Sequence, residues 1–113
     1  MTNHHPSRDR IFKALGDPTR LAVIERLSRG PASMTELARP FDMALPSFLQ
    51  HVTLLEECGL VRSKKEGRVR TFTLHATPLR AAEHWLSKQR TEWEARLDRL
   101  DDYLLHLDKE KKR

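Results

Sequence analysis

Apolar residues recur along this chain with two different periods, and the change from one to the other divides it. Ile11, Phe12 and Leu15 cluster at helical spacing before Gly16. Asp17 followed by Pro18 restarts a helix, because aspartate accepts from the free amides of a first turn and proline fits the first helical position. Leu21, Ile24 and Leu27, with Val23 alongside, then predict a core-facing stripe that Gly30 and Pro31 end. Ser33 and Glu36 stand in the S-x-x-E relation of a capping box, which opens a short third helix through Leu37 until Pro40. Pro46 fits only a first turn, so a fourth helix starts near Leu45 and runs to Cys58, with Gly59 as its stop. Two short helices with a tight break between them predict a helix-turn-helix.

From Leu60 the period shortens to two. In LVRSKKEGRVRTFTL, β-branched and aromatic residues alternate with charge on either side of Glu66 and Gly67, which reads as a two-stranded hairpin. Thr77 and Pro78 repeat the helix start seen at Asp17, and the remainder is helical almost to its end. Leu79, Leu86, Trp93, Leu100 and Leu107 recur every seven residues, accompanied by Leu97 and Leu104, as in a long interaction helix. The expected class is therefore mainly α with a small β-hairpin. Its form is a winged helix-turn-helix of four helices, a two-stranded wing and a long C-terminal helix. The expected organisation is a flexible tail over 1–7, a winged unit over 8–77, the long helix of the same domain over 78–108 and a basic tail over 109–113.

At 100° per residue, with Phe48 as the centre of the buried side, Val52, Leu55 and Gly59 fall within about 40° and Leu45 within about 60°. Pro46, Ser47, Leu49 and Gln50 form the exposed tip, where glutamine can pair with adenine and methyl groups can meet thymine. His51, about 60° from the core centre, fits both a half-buried packing residue and a DNA contact. Leu49, about 100° away, either packs at the root of the wing or projects. Behind this helix the hairpin sets Arg62, Lys64, Lys65, Arg68 and Arg70 against a single acid, Glu66. Such a hairpin is suited to clamping phosphates, and its charges could alternatively serve only as a solvated edge that blocks strand pairing.

Composition narrows the partners. The 113 residues suit one core, charged residues are 33% of the chain and the net charge is +5, so an anion is favoured, nucleic acid ahead of acidic lipid or protein. The single Cys58 excludes an internal disulfide and a thiolate pair, and reads as a small apolar filler or a redox thiol. MTNHHPSRDR lacks the apolar stretch of a signal peptide and no apolar run could span a bilayer, so a soluble cytoplasmic protein without a membrane partner is expected. No phosphate loop, nucleophile elbow or H-E-x-x-H occurs. The chain is expected not to be an enzyme and to need no cofactor.

The run FKALGDPTRLAVIERLSRGPASMTELA, the run LPSFLQHVTLLEECGLVRSKKEGR and a closing helix with tryptophan together resemble the arsenical-resistance-repressor (ArsR-type) family of bacterial winged-helix transcription regulators, over residues 8–107. The resemblance implies a homodimer joined by first and last helices. It implies binding to an imperfect inverted repeat in double-stranded DNA, and repression of a promoter until a signal, here unknown, releases it. By position, Ser47, Leu49, Gln50 and His51 fall on the recognition helix and Arg68 is the wing arginine, with Lys64, Lys65 and Arg70 as further DNA contacts. Phe12, Trp93, Leu97, Leu100 and Leu104 are the expected dimer contacts. Two positions depart from the family's frequent serines, Ala44 and Leu49, which alters the expected helix cap and base preference. Metal-sensing members carry a cysteine pair on the third helix or paired Asp/His and His/Glu ligands on the last. Here the third helix reads TELARPF and the last offers only His84 and His106, with Asp102 one turn before the second, while His4 and His5 adjoin near the N-terminus. No metal site is expected. The competing reading is a dimeric winged-helix scaffold that binds protein.

Overall fold

The structure, a computed structural model, describes residues 6–111, with side chains from Arg8 onward. His4 and His5, with the other residues of 1–5 and 112–113, lie outside the described residues. Helix α1 (Pro6–Leu15) begins inside the expected N-terminal tail. Helix α2 (Pro18–Leu27) starts where Asp17 accepts a hydrogen bond from the Arg20 amide at 3.0 Å. A two-residue strand, β1 (Ala32–Ser33), leads directly into α3 (Met34–Ala38). The capping box is complete: Ser33 Oγ accepts from the Glu36 amide at 3.2 Å and Glu36 Oε1 accepts from the Ser33 amide at 3.1 Å. Helix α4 (Leu45–Glu57) has Ala44 at its N-cap with no side-chain hydrogen bond, as expected from the missing serine.

Strands β2 (Val61–Glu66) and β3 (Val69–Leu74) form the hairpin. The sheet has three strands rather than two, in the order β1-β3-β2, all antiparallel. Two residues carry too little alternation to be read as a strand in sequence, yet Ala32 pairs with Phe72 and both are buried. That pairing ties the hairpin's inner strand to the segment between α2 and α3. Helix α5 (Thr77–Lys111) follows and runs into the expected basic tail as far as Lys111.

The chain divides after Ala82, so the compact unit takes in the first turns of α5, beyond the expected boundary at 77/78. Its core is continuous, built on Phe48, Val52, Leu55, Leu60, Val61 and Phe72, each at most 1% exposed. Phe41 stacks on it, its ring 5.2 Å from that of Phe48. Two leucines expected in this core are outside it. Leu21 is 42% exposed, because Val23, Ile24 and Leu27 centre the buried face of α2 roughly 110° away from it at 100° per residue. Leu45 is 56% exposed, because it occupies the first turn of α4, before the helix reaches the core.

From Glu83 onward the second unit consists of the rest of α5. Along it Trp93, Leu97, Leu100 and Leu104 are each at least half exposed, and the Arg96 guanidinium lies 5.9 Å from the Trp93 ring centroid. No helix of the described residues is long and apolar enough to cross a membrane.

Candidate nucleic-acid interface

Helix α4 turns Phe48, Val52 and Leu55 inward, which leaves Pro46, Ser47, Leu49, Gln50 and Thr53 on its open side. Leu49 is 46% exposed, and with Pro46, Gln50, Thr53, Leu54 and Glu57 it lines a surface hollow of about 270 Å³. Its exposure favours projection over packing at the wing.

At the far end of α4, Cys58 caps the helix and Gly59 takes φ +78, a left-handed turn that redirects the chain into β2 over three residues. Arg10 Nη2 donates to the Glu57 carbonyl at 3.2 Å, satisfying one of the helix's terminal acceptors. Cys58 is half-buried, and with Arg10, Ile11, Pro78 and Ala81 it borders a hollow of about 230 Å³.

The strand register sorts the wing's charges. Glu66 pairs with Val69, so the turn is Gly67–Arg68, and Gly67 takes φ +62 while no described non-glycine residue has a positive φ. This sign pattern is that of a type II′ turn, whose twist matches a right-handed hairpin, and it sets Arg68 at the tip. Side chains alternate across a strand, so Lys65 and its partner Arg70 share a face with Val61, Ser63 and Phe72, toward α4. Arg62, Lys64 and Glu66 lie on the other. Lys64 Nζ is 3.3 Å from Glu66 Oε1, but both groups are largely exposed and the pair contributes little.

Not every expected contact projects freely. Arg70 Nη1 donates to Ser63 Oγ at 2.8 Å, and Ser63 Oγ donates to Glu56 Oε2 at 3.3 Å, so this guanidinium is tied through Ser63 back to α4. His51 is half-buried and turned toward the corner between α1 and α2. Arg20 Nη1 donates to His51 Nδ1 at 3.1 Å. A guanidinium only donates, so this bond forms when Nδ1 serves as its acceptor. The same guanidinium donates from Nε to the Ala14 carbonyl at 2.8 Å and from Nη2 to the Lys13 carbonyl at 3.1 Å, closing the end of α1. Asp17 Oδ2 stands 3.5 Å from His51 Nδ1. The Arg20 amide holds the Asp17 carboxyl below its ordinary range; partial burial opposes this, and the nearby His51 and Arg20 side chains add to the lowering. The Glu36 carboxyl is lowered in the same way, by the Ser33 amide and then its hydroxyl.

Sequence reading missed Arg20, Glu56 and Ser63. The D-P-T-R spacing contains a signal for the first, since it puts an arginine on the first turn of α2 beside the end of α1. Of the expected dimer contacts, Phe12 is half-buried on α1 against the core, and the four α5 residues are exposed in the single chain. Among the described residues no three His, Cys, Asp or Glu side chains come together as a metal-holding group.

A helix-turn-helix domain family matches residues 15–64. The HTH-type transcriptional regulator Rv2034 of Mycobacterium tuberculosis is 40% identical over 75 residues, which cover 66% of this chain and 70% of that protein. The transcriptional repressor SdpR of Bacillus subtilis is 26% identical over 76 residues, covering 67% of this chain and 84% of its own. A crystal structure of an ArsR family transcriptional regulator is 52% identical, with a TM-score of 0.76 over 83% of this chain and 97% of that one.

Proposed function

Because the chain belongs to the ArsR family of helix-turn-helix transcriptional regulators, we propose that it binds an inverted-repeat operator in double-stranded DNA as a cytoplasmic homodimer. There it acts as a repressor and answers to a signal other than metal. The observation that carries this reading is the joint exposure of Ser47, Leu49 and Gln50 on α4 and of Lys64, Lys65 and Arg68 on the wing. A helix end of this kind enters a major groove, and a basic hairpin joined to it by Cys58–Leu60 reaches the flanking backbone. Gln50 reads a base edge. Arg68, at the tip of the turn, neutralises a phosphate regardless of sequence. Arg70 reaches DNA only by leaving Ser63, so it is the weaker contact of the two. The apolar stripe of α5 supplies the second copy's contact, since patches of this kind on small soluble chains mark interfaces. Phe12, on α1, is a further candidate contact with the second copy.

Two substitutions separate backbone contact from base reading. Arg68→Ala should weaken binding to every duplex alike and lower the salt slope of the dimer by about 2, one phosphate per protomer. An unchanged slope would remove Arg68 from the interface. Gln50→Ala should cost about 1–3 kcal/mol on the operator and leave random duplex nearly untouched; equal losses on both would make it a backbone contact. Leu49→Ser should leave thermal stability within about 0.5 kcal/mol of wild type while relaxing selectivity at one A·T position in each half-site, as measured on a duplex library. A drop of about 2 kcal/mol or more with unchanged base preference would reassign Leu49 to packing. Failure of the wild-type protein to bind any duplex at low salt would overturn the whole reading and favour a protein-binding scaffold.

A further inference from the structure

We infer that His51, gripped by Arg20 and flanked by Asp17, is a positioning residue for operator reading: it fixes the roll of α4 without itself touching DNA. The inference rests on the proposed DNA-binding role of α4.

Near its N-terminal half the recognition helix is otherwise seated by Phe48 and Val52, with Leu54 and Leu55 following and the Ser63–Glu56 and Arg10–Glu57 bonds lying at its far end. Apolar packing keeps this face on the core, but being non-directional it sets the exact roll of a helix less sharply than a hydrogen bond does. Hydrogen bonds are directional. A roll of 20° moves the rim of a helix roughly 10–12 Å across by about 2 Å, enough to break a base contact whose heavy atoms must lie about 2.7–3.2 Å apart. His51 sits next to Gln50 in sequence and beside the buried stripe, where a directional bond acts on roll most directly. Its partner is itself anchored. Arg20 is held at three points, by the carbonyls of Lys13 and Ala14 and by its own place in the first turn of α2, whose amide is capped by Asp17. The Arg20–His51 bond therefore refers the recognition helix to the corner where α1 ends and α2 begins. Asp17, 3.5 Å from the same ring nitrogen, holds Arg20's turn in place and faces the imidazole with a carboxylate.

A direct DNA contact and a purely structural role make different predictions from this one. The probe is a duplex selected by the wild-type protein from a random library, measured beside a scrambled duplex of equal length, with thermal unfolding recorded for every variant. His51→Leu, which keeps bulk but offers no acceptor, should weaken the selected duplex by about tenfold and the scrambled one by less than about twofold. His51→Asn places an acceptor where Nδ1 stood and should recover most of the selected-duplex affinity. Arg20→Lys, which cannot make the three-way fork, should resemble His51→Leu, and the double variant should be no weaker than the weaker single one. Equal loss on both duplexes, or no rescue by asparagine, overturns the inference and leaves the DNA-binding reading intact. So does a loss that merely tracks melting temperature across the four variants. A wild-type protein that selects no duplex overturns both.

Discussion

Leu97→Asp is expected to yield a folded monomer that has lost tight operator binding. Leu97 is 52% exposed in the single chain and is not among the residues packed on the core of the compact unit, so the substitution removes nothing from that core. Its cost falls on the association of two copies. Each interface loses the burial of a leucine, about 1.5–3 kcal/mol, and gains a carboxylate whose desolvation costs several kcal/mol more. Both losses occur twice in a symmetric dimer. Specific DNA complexes bind roughly 10³–10⁷ times more tightly than the same proteins on random sequence, and a monomer that reads one half-site retains only part of that margin. Sedimentation should show a monomer with an unchanged melting transition for the compact unit, and operator binding should fall by orders of magnitude. A folded Leu97→Asp protein that still sediments as a dimer would refute the assignment of α5 to self-association.

The second large effect lies beneath the recognition helix. Phe48 has no exposed surface, and Phe41 stacks on it at 5.2 Å with the rings inclined by 34°. Phe48→Ala removes a ring at the centre of the buried stripe of α4 and leaves a cavity that Val52 and Leu55, already packed, cannot fill. Truncations of this kind cost about 3–5 kcal/mol, a large part of the roughly 5–15 kcal/mol that keeps a domain folded. For a domain of this size the melting temperature should fall by roughly 15–30 °C, measured by circular dichroism. Phe41→Ala, at a half-buried position, should cost less. A fall of only a few degrees for Phe48→Ala would mean that α4 is held chiefly by its polar edge, through His51 and Glu56, rather than by its apolar face.

Local chemistry accounts for what could be read without coordinates. Asp17-Pro18, Ser33 with Glu36, Pro46 and Gly59 each act within one turn of chain, through an amide that needs an acceptor or a φ that only certain residues adopt, so the helix ends follow from them. The alternation in VRSKKEGRVRTFTL likewise specifies a hairpin, and the outward tip of α4 follows from the period of a helix around Phe48. Leu21 and Leu45 defeated the same arithmetic, because burial depends on where a helix meets its neighbours and not only on which way a residue faces. The strand at Ala32–Ser33 exists only because β3 offers it a ladder, a contact forty residues distant in sequence that two residues cannot announce.

The sequence by itself determined the order of the helices and the hairpin, the basic wing, the exposed helix tip and the family, because each rests on short-range chemistry or on residues read in order. The tertiary structure alone decided what the polar side chains at the helix edges do. His51 and Arg70 stand on elements expected to face DNA, yet Arg20 draws the first inward and Ser63 ties the second back to Glu56. A hydrogen bond reaches about 3 Å and depends on angle, and residues 31 positions apart meet that condition only after the core has brought their backbones together.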